Sequence, residues 1–342
     1  MPTPREFRLR VQMYALTSST CKSRHGLPQR CGAEARGGEA SGFAMANVGF
    51  IGLGIMGGPM AANVLKGGHA LTVFDLDPAA VARLVAKGAR AAASPAEVAR
   101  ASEVVVTMLP DAPDVERVAL GPDGVVAALP PGGVMIDMST SAPETTRRIG
   151  AALAARGCFM VDCPVGKTAD HAVTGTLTLM AGGEAETVAR VRPVLDCMGT
   201  DFFHCGGLGN GHAMKAANNL LATALVALNA EVLAAGMRAG LTLATMTSVM
   251  QKTMAWNSQL AVAFPLRPLK GDFEPGFMLR LAHKDCRIAL GMIEGMGLDA
   301  PVGRAALAAC QEGLDMGFGA KDVGVLLKIR EDDAGVKVRL PS

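Results

Sequence analysis

Lys215, Asn218, Asn219 and Ala222 lie at i, i+3, i+4 and i+7 of one long apolar stretch. A helix there carries an amine and two amides along a single face. Burying an ammonium without a partner is expensive, so its place among Ala, Leu and Val needs a reason. One reason is structural: the lysine snorkels its head to water while the amides bond between helices. The other is chemical. Hydride delivery to a carbonyl leaves negative charge on oxygen, and an ammonium at hydrogen-bond distance both stabilises that charge and supplies the proton. In the reverse direction a neutral Lys215 takes the proton, and partial burial lowers its pKa toward that role. His212, one turn earlier, is either a rival acid or a packing residue at the helix end.

A hydride needs a carrier, and the chain provides for one upstream. Val48, Phe50 and Ile51 read as a buried strand that leads into Gly52-Leu53-Gly54-Ile55-Met56-Gly57. Gly52 permits a tight turn, Gly54 lets the backbone approach a pyrophosphate, and Gly57 lets the following helix lie close to the strand. That helix, starting near Met56, points free N–H groups and its positive dipole end at the phosphates. A second strand, Leu71 to Phe74, ends at Asp75, eighteen positions after Gly57. A carboxylate there accepts hydrogen bonds from both adenosine ribose hydroxyls and repels a 2′-phosphate, which favours NAD over NADP.

The elements that position these groups alternate from Asn47 to about Cys205. Strand-like runs Val104–Leu109, Val134–Met138 and Cys158–Asp162 are separated by helical stretches such as Pro78–Lys87 and Pro143–Arg156. Such alternation demands a doubly wound parallel sheet with right-handed crossovers, an α/β Rossmann-type fold. Its ligands bind beyond the carboxyl ends of the strands. Leu109-Pro110, Ser139-Thr140 and Pro164-Val165-Gly166-Lys167 all fall at that rim. After Gly209 the strand signals stop. One helical pattern runs from about His212 to Arg238, and others lie near Ala244–Lys252, Met278–Glu294 and Arg304–Met316. The expected organisation is a disordered extension over 1–44, a dinucleotide-binding domain over 45–208 and an all-helical domain over 209–335.

Composition narrows the function classes. The chain has 342 residues, half of them hydrophobic, with a net charge of +2 and one Trp and one Tyr. So small a charge and so few aromatics argue against nucleic acid and against an acidic membrane surface. Leu220–Leu228 is too closely bracketed by Asn218, Asn219, Asn229 and Glu231 to span a bilayer, and reads as a buried helix. Eight cysteines and six histidines are scattered without zinc-knuckle spacing, so no metal is expected and reduced thiols in a cytoplasmic protein are. Residues 1–44 carry seven Lys/Arg against three Glu with little periodicity. They read as disordered, with an organellar transit peptide as the rival. His283-Lys284-Asp285 lacks an activated serine and reads as a helix-surface ion pair. Asp162 reads as a strand-end cap, and Trp256 as lining either a cleft or a subunit contact.

Five motifs together resemble the β-hydroxyacid dehydrogenase family, which includes 3-hydroxyisobutyrate dehydrogenases and tartronate semialdehyde reductases. They are the glycine fingerprint, Asp137-Met138-Ser139-Thr140, Gly175-Thr176-Leu177, Gly209-x-Gly-x-x-x-Lys215-x-x-Asn218-Asn219, and Phe277-x-x-x-Leu281-x-x-Lys284-Asp285. They span Val48 to at least Leu290. The resemblance implies Lys215 as catalytic acid/base, with Asn218 and Asn219 positioning it or the substrate. It implies Gly52, Gly54, Ile55, Met56, Gly57, Asp75, Leu109, Pro110, Thr140 and Lys284 at the cofactor. Ser139, Gly166, Lys167, Thr168 and Ala222 would meet the substrate. Most members carry Pro-Val-Ser-Gly-Gly where this chain has Pro164-Val165-Gly166-Lys167-Thr168. That loop is similar to the Pro-Val-Gly-Arg-Thr of the family's bacterial 3-sulfolactaldehyde reductases, whose arginine grips the sulfonate. Lys167 keeps the charge without the planar fork, and Ala222 replaces a serine.

The reading is an NAD-dependent reductase of a short anionic aldehyde, forming a homodimer or homotetramer. The alternatives are a carboxylate-specific hydroxyacid dehydrogenase and a catalytically silent cofactor-binding module.

Overall fold

The computed structural model describes residues 45–340; the expectations for 1–44 lie outside them. Strands β1 (Asn47–Ile51), β2 (Ala70–Phe74), β3 (Arg90–Ala91), β4 (Val104–Thr107), β5 (Val134–Asp137) and β6 (Phe159–Asp162) form one sheet in the order 3-2-1-4-5-6. Every pairing in it is parallel. Successive side chains of a strand point to opposite faces. Phe50, Val104, Val106, Ile136 and Val161 therefore enter one core, and Ile51, Val105, Met135 and Met160 enter the other. Both faces are buried, which is why these strands read as continuous apolar runs rather than alternating ones. The crossovers that cover them are α1 (Gly57–Lys66), α2 (Pro78–Val85), α3 (Pro95–Arg100), α4 (Ala112–Leu120) and α5 (Pro143–Ala154), counting helices of six residues or more. Proline in the first turn and a preceding acceptor side chain start several of them. Asp77 accepts from the N–H of Ala79 at 2.9 Å, and Ser94 from that of Glu97 at 3.2 Å.

Sequence periodicity gave no sign of a second, mixed sheet. β7 (Val165–Gly166) runs antiparallel to β8 (Leu177–Ala181), which runs parallel to β9 (Gly199–His204). The intervening helices are α6 (Ala169–Thr174) and α7 (Ala185–Asp196). Two residues are too few for a strand pattern, and β9 is largely exposed with an aspartate inside it. This sheet holds the loop after Pro164: the Met180 N–H donates to the Pro164 carbonyl oxygen at 3.1 Å.

The helical half is built on α8 (Asn210–Arg238), followed by α9 (Leu243–Gln251), α10 (Leu279–Gly295), α11 (Pro301–Asp315) and α12 (Val325–Ala334). Val226, Ala230 and Leu233 of α8 share a core with Leu279 of α10, Cys310 of α11 and Leu326 and Ile329 of α12. Trp256 packs at the edge of that core. The expectation that Leu220–Leu228 is buried holds for one face only. Met214, Leu221, Leu228 and Val232 form an exposed stripe, with Leu221 64% and Leu228 55% accessible. By length and composition α8 is apolar enough to cross a membrane, and its other face is committed to the helical core.

Candidate active site

The glycine loop has the shape a dinucleotide needs. Gly52 sits at φ +95°, and a Cβ there would lie 2.3 Å from the Met108 carbonyl oxygen. A Cβ on Gly57 would come within 1.9 Å of the Gly52 carbonyl oxygen, so only glycine lets α1 start against β1. At Gly54 a Cβ would meet nothing within 4 Å, and Ile55 beside it is 71% exposed. The start of α1 has no capping side chain and no acidic residue in its first turn. Its positive end therefore faces open space, the condition for seating a pyrophosphate. Asp75 reaches the same loop. Its Oδ2 accepts the Leu53 N–H at 2.5 Å and its Oδ1 the Asp77 N–H at 2.8 Å, fixing the carboxylate at the end of β2.

The neighbouring strand ends are tied together by a buried carboxylate. Asp137 Oδ1 accepts from Thr107 Oγ1 at 2.9 Å and from the Ser139 N–H at 3.1 Å, while Oδ2 accepts from Ser141 Oγ at 2.9 Å. Ser139 Oγ in turn accepts the Leu109 N–H at 2.9 Å. Leu109 and Ser139 are thus joined directly. Pro110 and Thr140 are joined through a visitor from the helical half: Lys284 Nζ donates to their carbonyl oxygens at 3.0 and 3.4 Å.

The sheet also fixes the start of α8. Asp162, fully buried at the end of β6, accepts the N–H of Gly209 from Oδ1 and that of His212 from Oδ2, each at 2.7 Å. It is a cap, as expected, but of a helix start rather than of its own strand. The Gly209-x-Gly211 spacing follows from this closeness. Gly209 adopts φ +90°, and a Cβ on Gly211 would lie 2.3 Å from the Met180 carbonyl oxygen and 2.8 Å from Asp162 Oδ2. His212 is a buried packing residue. Its Nε2 meets the Ser139 carbonyl oxygen at 3.0 Å and its Nδ1 meets Thr146 Oγ1 at 2.7 Å. One residue thus latches α8 to the Ser139 turn.

One turn further along, Lys215 is half-buried and makes no hydrogen bond or ion pair with any described residue. Burial pushes its pKa below the ordinary lysine value. The Asp285 carboxylate opposes that shift and the Lys284 ammonium adds to it. Asn219, 7% exposed, donates from Nδ2 to Asp285 Oδ2 at 2.6 Å, and the exposed Asn218 donates to Asn219 Oδ1 at 3.1 Å. Ala222 is half-buried, and its carbonyl accepts from Gln259 Nε2 at 3.4 Å.

Two expectations change here. The Lys284-Asp285 pair, read from sequence as lying on a helix surface, is buried: Asp285 is 3% exposed, with Nζ 3.4 Å from its Oδ1. The signal was present, because Leu279, Ala282, Asp285, Cys286 and Ala289 mark the inward stripe of α10. Lys167, expected to present a free ammonium to a substrate anion, bonds Asp201 Oδ2 at 2.7 Å and the Thr176 carbonyl oxygen at 2.8 Å. That hydrogen bond and charge hold the Asp201 carboxyl below the usual carboxylate range. Lys167 is also the one described non-glycine residue with positive φ, +76°, a backbone conformation that favours glycine. Thr168 Oγ1 lies 3.0 Å from His171 Nδ1, and Gly166 closes on Thr178, where a Cβ would lie 3.3 Å from the Thr178 Cβ.

Residues 47–207 match the family model for the NAD binding domain of 6-phosphogluconate dehydrogenase. Residues 209–329 match the one for NAD-binding of NADP-dependent 3-hydroxyisobutyrate dehydrogenase. The chain is 40% identical over 296 residues to 3-sulfolactaldehyde reductase of Escherichia coli, covering 86% of this chain and 99% of that protein. It is 41% identical over 268 residues to 3-hydroxyisobutyrate dehydrogenase of Pseudomonas aeruginosa, covering 77% and 90%. The chain belongs to the β-hydroxyacid dehydrogenase family. Its members are oxidoreductases acting on CH–OH groups with a nicotinamide dinucleotide, and the glycine loop and the open end of α1 fit that cofactor. Among solved structures, Mycobacterium tuberculosis 3-hydroxyisobutyrate dehydrogenase with L-serine is similar at 31% identity and a TM-score of 0.77, covering 83% of this chain and 99% of that one.

Proposed function

We propose that the protein interconverts a short anionic aldehyde and its primary alcohol with NAD, in the manner of a 3-sulfolactaldehyde reductase. The observation that carries this is the Lys215 amine. It is half-buried, unbonded and depressed in pKa, on the helix that Asp162 and His212 fasten to the substrate-side strand ends. The bound nicotinamide supplies or accepts the hydride. In reduction, protonated Lys215 gives its proton to the carbonyl oxygen; in oxidation, the neutral amine takes the hydroxyl proton. Asn219 orients the substrate or the amine, and Asn218 orients Asn219. Gly52, Gly54, Ile55, Met56 and Gly57 face the pyrophosphate, Asp75 the adenosine ribose, and Leu109, Pro110, Thr140 and Lys284 the nicotinamide side. Ser139, Gly166, Lys167, Thr168 and Ala222 surround the substrate. Anion selectivity comes from Lys167 together with the N–H groups of Lys167 and Thr168, which take no backbone acceptor.

A second reading, a hydroxyacid dehydrogenase specific for a carboxylate, is favoured by one observation: Asp201 already holds the Lys167 ammonium, leaving the N–H groups as the main anion ligands. Initial rates with NADH on sulfolactaldehyde, succinic semialdehyde and tartronate semialdehyde, side by side, decide between them. Sulfolactaldehyde turning over fastest by kcat/KM supports the first reading; a preference of tenfold or more for a carboxylate supports the second.

We place a boundary at residues 208/209, between cofactor and substrate halves. The exposed stripe Met214, Leu221, Leu228 and Val232 on α8 is the face we assign to a homodimer or homotetramer contact. The six described cysteines are all free thiols, which supports a reducing, cytoplasmic setting.

A further inference from the structure

Asp285 carries a feature that the reading of Lys215 leaves unexplained. Its carboxylate is 3% exposed, yet Oδ1 is the one buried side-chain oxygen or nitrogen among the described residues without a hydrogen bond. Oδ2 is bonded, by Asn219 Nδ2 at 2.6 Å. A buried carboxylate with an idle oxygen is costly unless nearby positive charge compensates it. Lys284 Nζ stands 3.4 Å from Oδ1, and Lys215, one turn before the Asn219 that bonds Oδ2, is the second cation whose charge the carboxylate acts on.

We propose that Asp285 is the positioning residue of the Lys215 amine: it holds Asn219 one turn beyond the lysine and supplies the negative charge against which Lys215 keeps its proton. This rests on the assignment of Lys215 as the proton donor and acceptor. The charged groups facing Lys215 are Asp285 and Lys284, both from α10. His212, a turn earlier on α8, faces Asp137 and Asp162 of the sheet, 3.8 Å from each. From α12, Arg330 is paired with Glu312 of α11 and with Asp333, and Arg147 of α5 lies against Gly209 at the far end of the helix start. Among the described residues, Asp285 is the one negative charge that opposes the effect of burial on the lysine.

Asp285 and Lys284 act in opposite senses on the Lys215 amine. Burial and Lys284 both favour a neutral Lys215, and Asp285 alone favours the ammonium. The carboxylate therefore sets how far the amine is depressed, and with it the pH range over which one group serves as acid in reduction and base in oxidation. Removing the charge lets the Lys215 pKa fall further. The alkaline limb of aldehyde reduction then moves to lower pH, and so does the acid limb of alcohol oxidation.

Asp285→Asn keeps an acceptor for Asn219 and removes the charge; Asp285→Ala removes both; Asp285→Glu keeps the charge. The first readout needs no substrate: the rate at which acetic anhydride labels Lys215 in the cofactor-free protein, followed against pH by mass spectrometry of its peptide. In Asp285→Asn the labelling midpoint falls by about one pH unit or more, and in Asp285→Glu it stays near the parent value. In aldehyde reduction the alkaline limb of kcat/KM falls with it. KM in Asp285→Asn remains within about threefold of the parent, whereas Asp285→Ala, with Asn219 released, raises it by about tenfold or more, as loss of a hydrogen bond to a charged group implies. A labelling midpoint unmoved in folded Asp285→Asn, or one that falls equally in Asp285→Glu, overturns the proposal. If the midpoint falls as expected while the parent reduces none of the anionic aldehydes, it is the functional reading that fails and the role of Asp285 stands.

Discussion

Alanine at Gly54 and alanine at Gly57 separate the two jobs of the glycine loop. Neither position requires a left-handed backbone, so space alone decides the outcome. At Gly57 the added methyl would stand 1.9 Å from the Gly52 carbonyl oxygen, which is backbone and cannot rotate away. Atoms in contact need about 3.5 Å, so α1 must retreat by an ångström or more from β1. Overpacking of this kind costs about 1–3 kcal/mol, offset in part by alanine's helix propensity, worth about 1 kcal/mol. A drop of several degrees in Tm follows, at about 2–4 °C per kcal/mol for domains near this size. At Gly54 the methyl meets nothing within 4 Å, so the free protein keeps its Tm. The same methyl stands where the pyrophosphate must come. Losing one charge-assisted backbone contact, at about 1.5–3 kcal/mol, raises the NADH dissociation constant by roughly 10- to 150-fold. Thermal unfolding with and without NADH, plus calorimetric titration, reads both quantities. Gly54→Ala that binds NADH like the parent, or that loses as much stability as Gly57→Ala, refutes the assignment of this loop.

Asp75→Asn removes the charge that repels a 2′-phosphate while an amide oxygen still accepts the Leu53 N–H; the NADH-over-NADPH ratio of kcat/KM then falls at least tenfold, and an unchanged ratio refutes the role of Asp75 in cofactor choice. Lys167→Ala raises KM for anionic aldehydes about tenfold and for neutral ones little, as loss of a charge-assisted contact implies. Equal effects on both classes would reassign Lys167 to holding Asp201.

The sheet was legible because both of its faces are buried, so Val104–Thr107 and Val134–Asp137 show as unbroken apolar runs. The cofactor loop was legible for a different reason: Gly52 and Gly57 answer to backbone geometry at 2.3 and 1.9 Å, which no other residue satisfies. Among the rim residues, Leu109 and Pro110 were found at a strand end and Ser139, Thr140 and Lys284 as members of motifs, and the bonds that join them span 30 to 174 positions of chain. Local pattern cannot show such joins. It missed the mixed sheet because β7 is two residues long and β9 has no apolar run. It missed the partner of Lys167, since nothing near it in sequence announces Asp201, thirty-four positions away. Asp285 was misjudged by identity: a Lys-Asp neighbour pair suggests a wet surface, although the spacing of Leu279, Ala282 and Ala289 puts the aspartate inside.

The central claim is that the Lys215 amine moves the proton that accompanies hydride transfer. The direct measurement is turnover and NADH affinity of Lys215→Ala, with and without added ethylamine. The account predicts an NADH dissociation constant within about threefold of the parent, kcat lower by about 10²- to 10⁴-fold, and partial recovery that grows with amine concentration. A Lys215→Ala protein that binds NADH normally and turns over at near-parental rate would contradict it.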